Sequence, residues 1–176
     1  MPVTETDIQD MIGQIRAALA ADRQDEAARL LLKLHVADQA ALFDLLDPEE
    51  RRRLLPGLGA TDAANLLERV EDETALAAAE TMSVDRLADV LDEMEPDEAA
   101  DVLGDLPAKR ASEALAQMED ATNVQPLLAY EDDSAGGLMT TSFLALRGHD
   151  SVGDATEYLR RVPTDDEVPY YLYVVD

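Results

Sequence analysis

The chain has 176 residues, 47% of them hydrophobic, and a formal net charge of −25 from 39 acids against 14 bases. A field of that sign repels nucleic acid and anionic membrane and favours cations, basic proteins or plain solubility. The absence of cysteine excludes disulfides, thiolate metal sites and cysteine nucleophiles, and no apolar run approaches the roughly 20 residues of a membrane span. With only two lysines, Lys33 and Lys109, a solvated surface or a high-salt habitat accounts for the acid excess as readily as cation binding does.

The first residues, MPVTETDIQDM, are acidic and lack the apolar stretch of a signal peptide. A helix is expected from Thr6. Thr6 and Gln9 have capping-box spacing, and Ile8, Ile12, Ile15 and Leu19 follow at helical intervals. Residues 20–24 read as a turn. A second helix is expected over 25–34, with Ala27, Leu30, Leu31 and Leu34 facing inward.

From His35 a unit of twelve residues recurs seven times: HVADQAALFDLL, DPEERRRLLPGL, GATDAANLLERV, EDETALAAAETM, SVDRLADVLDEM, EPDEAADVLGDL and PAKRASEALAQM, ending at Met118. The twelfth position is always apolar (Leu46, Leu58, Val70, Met82, Met94, Leu106, Met118). So are the eighth and ninth, and the sixth is small or apolar in most copies. Short helices at a fixed period cannot bury their apolar faces singly, so stacked units must share one core. Each unit reads as a helix of eight to ten residues with a short turn. Asp47-Pro48-Glu49-Glu50 supplies a cap, a first-turn proline and acids for the positive helix end. Ser83-Val84-Asp85 and Glu95-Pro96-Asp97 repeat the theme, although Glu95 is a poor cap. The fold class expected is therefore mainly α, an array of short helices.

After Met118 the pattern changes. Residues 123–130 continue as helix, with Pro126 limiting its start. EDDSAGGLMTTSF, residues 131–143, is a polar connector in which Gly136-Gly137 break the helix. Beyond it the grammar is α/β: a strand over 143–146, an amphipathic helix over 151–162 with Val152, Ala155, Tyr158 and Leu159 on one face, and a buried strand, YYLYVV, over 170–175. One helix and two strands make no stable sheet domain alone. The sequence therefore reads as the front portion of something longer. Exposed strand edges of such a fragment allow two copies to pair as a homodimer.

No catalytic constellation appears, so an enzyme is not expected. His35 and His149 fall at turns without partners at nucleophile or zinc-site spacing. There is no Walker-type or GxGxxG loop and no EF-hand spacing. The acids are the more informative signal. Asp97 and Asp101 lie four apart, one helical turn, as do Asp85 and Asp89 one unit earlier. Like charges at that spacing repel by a few tenths of a kcal/mol (~0.2–0.5), and a divalent cation such as Mg²⁺ or Ca²⁺ relieves the repulsion. Helix dipoles and capping explain many of these acids equally well.

The chain resembles the cytosolic part of MgtE-type magnesium transporters, from about Met11 to Asp176. EPDEAADVLGDLP (95–107) is similar to that family's N-domain repeat. YEDDSAGGLMTTSFLAL (130–146) and YYLYVVD (170–176) resemble the entry into its CBS domains. The resemblance implies three segments: a right-handed superhelical N domain over 1–130, a connector over 131–142, and the N-terminal part of a CBS domain over 143–176. It implies a cytoplasmic, Mg²⁺-sensing regulatory module, whose partners are a second CBS domain, a connecting helix and a transmembrane pore. In the family, Mg²⁺ holds acidic surfaces together and the pore closed. When Mg²⁺ falls, the repelling faces separate. Asp97 and Asp101 fall on positions that supply acids to that interface, and Asn65 falls where the family carries another acid. The resemblance implies that within this chain these would be half-sites for Mg²⁺. CBS pairs also bind adenine nucleotides, but no residue of this chain is assigned to that role. Two other readings remain: a scaffold like the helical arrays of the flagellar motor switch protein, or a soluble CBS-containing sensor without a pore.

Overall fold

The computed structural model describes residues 5–130, 134–136, 139, 143–161 and 172–175. The chain divides into two compact units, residues 1–139 and 140–176. In the first, helices follow one another with turns of a few residues: α1 (Glu5–Ala20), α2 (Gln24–Leu31), α3 (Val36–Asp44), α4 (Pro48–Leu54), α5 (Ala60–Leu67), α6 (Asp72–Thr81), α7 (Val84–Leu91), α8 (Pro96–Asp105), α9 (Ala108–Leu115) and α10 (Ala121–Val124). Short 3₁₀ turns follow α4 (Leu55–Gly57) and α10 (Leu127–Ala129). Helix α1 begins at Glu5, so Thr6 lies inside the helix rather than capping it. Its side chain is outside the described residues. The turn after α1 contains Asp22 at φ 55°, left-handed backbone that an aspartate tolerates better than most residues.

The twelve-residue period sets both the helices and the core. Position one of every unit is a helix N-cap: His35, Asp47, Gly59, Glu71 and Ser83 in extended backbone, and Glu95 and Pro107 outside it. Asp47 forms a full capping box with Glu50, Ser83 accepts from the Arg86 amide, and His35 accepts from the Ala37 amide. Glu95 makes no side-chain cap, as a poor cap should not. The twelfth residues are all buried, and the eighth and ninth are buried in every unit except for the half-buried Leu115. Position five also faces inward in most units, through Ala63, Ala75, Leu87 and Ala99. Positions five, eight, nine and twelve are spaced i, i+3, i+4, i+7, the stripe by which a helix covers a core.

The units pack mainly on partners that are not their sequence neighbours. Helix α3 packs on α5, α5 on α7 and α7 on α9; α2 packs on α4, α4 on α6 and α6 on α8. Two rows result, and the packing period is two units, because each short turn carries the chain across to the other row. Arginines stitch successive layers: Arg86 donates to the Leu58 carbonyl at 2.8 Å, and Arg110 to the Ala79 and Met82 carbonyls, in both cases closing the open C-terminal end of an earlier segment. Arg51 lies over the Phe43 ring and donates to the Phe43 and Asp44 carbonyls and to the buried Thr74 hydroxyl. The helix expected over 123–130 is broken into α10 and the 3₁₀ turn, with Pro126 at the break. At Gly136 an added Cβ would stand 2.3 Å from the Tyr130 ring, so the glycine is needed there by a close approach.

The second unit holds β1 (Ala145–Arg147), α11 (Val152–Arg161) and β2 (Tyr173–Val175), with the strands parallel and Leu146 opposite Val174. Ser151 and Asp154 cap α11 reciprocally. The first strand starts at Ala145, later than expected, because its register is fixed by pairing with β2. One expectation fails here: β2 is exposed rather than buried, with Val174 68% accessible. Val152 and Tyr158 are exposed as well, and α11 buries no residue. A two-stranded pair with one helix has too few layers to cover either face. Most of the expected connector over 131–142, and Tyr170 and Tyr171 of the expected strand, lie outside the described residues.

Candidate functional site

Helix α8 carries the acids of interest, and its start meets two earlier segments. Pro96 occupies the first turn, where a missing amide costs nothing, and Asp97 and Glu98 follow it toward the positive helix end. Ala99, Ala100, Val102 and Leu103 bury the opposite face and fix the helix in its row. Asp97 is half-buried, and its Oδ1 is enclosed without a hydrogen-bond partner. Asp101, one turn later, is exposed. Asp72 begins α6, the helix against which α8 packs.

Glu68, the residue that ends α5, reaches this cluster from the other row. Its Oε1 accepts from the Glu95 amide at 2.8 Å, and its Oε2 lies 3.5 Å from Arg69. The side chain is only 15% exposed. Burial pushes the Glu68 carboxyl above its ordinary range. The Glu95 amide and Arg69 pull it back, while the charges of Glu95 and Asp97 push it up again. Glu98 is raised as well, first by burial and then by Asp97, Glu68, Asp101 and Asp72. Glu68 and Glu98 thus lie in one field with Glu95, Asp97, Asp101 and Asp72, and desolvation followed by repulsion disfavours ionisation of the two glutamates.

Of the three residues expected at the site, Asp97 and Asp101 stand together on α8 within this field. Asn65 lies exposed on α5, one turn before Glu68, and its backbone carbonyl accepts from Arg69 at 2.7 Å. The other aspartate pair, Asp85 and Asp89, is exposed on α7 in the opposite row. Glu68 and Glu98 are members that sequence reasoning passed over. The signal available for Glu68 was its place, tenth in its unit, where Asp44, Glu80 and Asp92 are also acids. Among the described residues, no group of three or more His, Cys, Asp or Glu is placed to hold a metal ion. His35 is an exposed helix cap and His149 an exposed turn residue.

Residues 34–133 match the model of the MgtE intracellular N domain. The chain belongs to the MgtE family. It is 33% identical over 180 aligned positions to the magnesium transporter MgtE of Enterococcus faecalis, with 97% of this chain and 38% of that protein covered. It is 35% identical over 159 positions to the magnesium transporter MgtE of Thermus thermophilus, with 84% of this chain and 34% of that protein covered. The chain thus spans little more than a third of the length of these relatives. Two solved structures superpose on it with a TM-score of 0.80: the soluble part of a magnesium transporter, at 29% identity over 96% of this chain and 68% of that one, and the cytosolic domain of the Mg²⁺ channel MgtE in complex with ATP, at 30% identity over 94% and 68%. The MgtE fold expected from the residues is thereby established, an array of short helices with one small strand pair near the C-terminal end. No helix among the described residues is long and apolar enough to cross a membrane.

Proposed function

We propose that this chain is the cytosolic regulatory part of an MgtE magnesium transporter, and that the start of α8 is its contribution to Mg²⁺ sensing. The observation that carries the reading is the enclosed, unpartnered Oδ1 of Asp97 beside Glu68 and Glu98, whose carboxyls are raised first by burial and then by neighbouring acids. Such a surface gains from a nearby cation. Hard carboxylate oxygens suit Mg²⁺, which keeps several waters and is held through few direct protein contacts.

Asp97 and Asp101 would supply the carboxylates of this half-site, and Asn65 an amide oxygen where the family resemblance places another acid. The facing ligands would come from the second CBS domain and the connecting helix of the longer protein. With Mg²⁺ present the acidic face docks and the pore is held closed; without it, repulsion parts the surfaces. The reading divides the chain into a helical N domain over 1–130, a connector over 131–142 and part of a CBS domain over 143–176. It is a sensing role with no enzymatic step. The names of the relatives support it over the flagellar-motor and pore-free alternatives.

The test is thermal unfolding of the 176-residue chain against Mg²⁺ at constant ionic strength, with K⁺ as control and Asp97→Asn/Asp101→Asn alongside. A ligand of the folded state alone raises stability with the logarithm of its concentration, by about 2.7 kcal/mol at a hundred times Kd. The expected outcome is a Mg²⁺-specific gain that the double variant loses. A response matched by K⁺, or retained by the variant, would remove α8 from the sensor.

A further inference from the structure

Resting on that reading, we propose that Glu68 is the positioning residue of the α8 acids: it acts through the Glu95 amide to hold the first turn of α8, and it is not itself a ligand. Glu95 is the N-cap of α8 and caps nothing with its own side chain. The turn before Asp97 is instead tied by the hydrogen bond that the Glu95 amide donates to a carboxylate 27 residues earlier in the chain. A largely buried acceptor strengthens such a bond.

Glu68 holds this place against a local cost. Its carboxylate sits in the field of Glu95 and Asp97, with Arg69 as the offsetting charge. A residue kept there only for solubility would not be buried among like charges. The device also recurs. Asp92, again tenth in its unit, accepts from the Glu119 amide at 2.9 Å and the Asp120 amide at 3.0 Å, ahead of α10. Glu119 is again 27 residues on from its acceptor. Asp44 occupies the same place in the first unit, with a buried Oδ1 that has no partner, and 27 residues beyond it (71 − 44) stands Glu71, the N-cap of α6, which makes no side-chain cap. At Glu68 and Asp92 the acid at position ten is therefore a strut between a helix end and the start of the third helix beyond it; Glu80, also tenth in its unit, has Pro107 at that distance, which carries no amide to donate. In the first of these struts the helix being held is the one that carries Asp97 and Asp101.

Two conservative variants separate positioning from charge. Glu68→Gln keeps the length and an acceptor oxygen but removes the charge. Glu68→Asp keeps the charge and shortens the reach by one methylene. Amide hydrogen exchange is read at Glu95, the direct donor, and at Ala99, whose amide closes the first turn of α8 on the Glu95 carbonyl. If Glu68 positions α8, the Asp variant speeds exchange at both amides by about tenfold or more, while the Gln variant stays within about threefold of the parent. The half-saturating Mg²⁺ concentration follows the same order, rising in the Asp variant and holding in the Gln variant. The opposite order, with Gln losing the Mg²⁺ response and Asp keeping it at unchanged exchange, would show that Glu68 contributes charge or ligation and would overturn the proposal. Unmoved exchange in the Asp variant would overturn it equally. Asp92→Asn and Asp92→Ala serve as locality controls: they should leave Glu95 and Ala99 alone, and acceleration there would mean a global loss of stability in place of a local strut. Failure of the sensing reading looks different. Asp97→Asn/Asp101→Asn would then keep the full Mg²⁺ response, while the exchange pattern of the Glu68 variants would still decide whether Glu68 holds α8.

Discussion

Leu91 and Val174 are both aliphatic residues in regular secondary structure, yet Leu91 is 1% exposed and Val174 is 68% exposed. Leu91 belongs to a unit that has another unit two places before it and another two places after it, so both flanks of α7 are covered by α5 and α9. Val174 belongs to a strand with one partner and one helix. The contrast shows where the stability of each region comes from. In the array, burial is delivered by repetition, and any single helix of seven to ten residues is too short to be stable on its own. Among the described residues of 140–176, hydrogen-bond pairing is present and no residue is buried.

The largest way to sharpen that contrast is truncation on both sides of it. Leu91→Ala or Leu103→Ala should lower the unfolding free energy of the array by about 2–5 kcal/mol, the cost of a lost side chain plus a cavity. Val174→Ala should move it by no more than about 0.5 kcal/mol, as exposed substitutions do. Urea unfolding followed by far-ultraviolet circular dichroism measures both. Equal effects would mean that β2 is as buried in solution as Leu91 is.

A smaller effect tests the two-row packing itself. Gly57 follows α4, and a Cβ added there would stand 2.5 Å from the Gln24 carbonyl oxygen and 2.8 Å from its carbon, both backbone atoms at the start of α2. Gly57→Ala must therefore move the turn after α4 against the start of α2, and a loss of about 1–3 kcal/mol is expected. Gly104, on α8, has nothing within 4 Å of the same added atom. Gly104→Ala should stabilise by about 0.4–1 kcal/mol, through helix propensity and a less flexible unfolded chain. The same substitution with opposite signs is read in one denaturation series. Two losses of equal size would show that the Gly57 contact is not what decides.

How much of this was legible beforehand follows from the same residues. The period of twelve gave the N-caps at position one and the buried residues at eight, nine and twelve, because caps and apolar spacing are local properties. It did not give the two rows. A period says how long a unit is and leaves open which unit it lies against, so the contact of α5 with α7 had to come from coordinates. Position five was missed because alanine is common there, and an alanine looks alike on a surface and in a core. The acids divide the same way. Asp97 and Asp101 were visible as a spaced pair, whereas Glu68 gains its meaning from a hydrogen bond to a residue 27 positions away, and Glu98 from neighbours on α5 and α6. In the second unit, the alternation of apolar residues correctly suggested strand and helix. It overstated burial at Val174, because strand propensity measures fit to a pleated surface and says nothing about whether a second layer covers it.

The smallest expected effect is in the pH dependence, where the two regions differ in sign. Glu68 and Glu98 have carboxyls raised in the folded array, so the folded state holds its protons more tightly than the unfolded chain does. Above the raised folded values both states are ionised and the repulsion is fully felt. As pH falls through those values toward the ordinary carboxylate range, the folded state takes up protons first and this penalty is relieved. Asp154 is the reverse case. The Ser151 hydroxyl and amide hold its carboxyl low, so its contribution is present at neutral pH and is lost as pH falls through its depressed value. Glu49 in α4, held low by Arg52, acts in the direction of Asp154 although it belongs to the array, so the raw slope of stability against pH mixes both signs. The informative quantity is a difference. Glu98→Gln should flatten the gain on acidification between neutrality and the ordinary carboxylate range, and Asp154→Asn should leave that part of the curve as it was. Thermal unfolding at closely spaced pH values in low salt measures it, since added salt screens the repulsion that produces the slope. A Glu98→Gln curve parallel to that of the parent would mean that the α8 acids do not feel one another, and the argument for a cation-responsive face would lose its electrostatic basis.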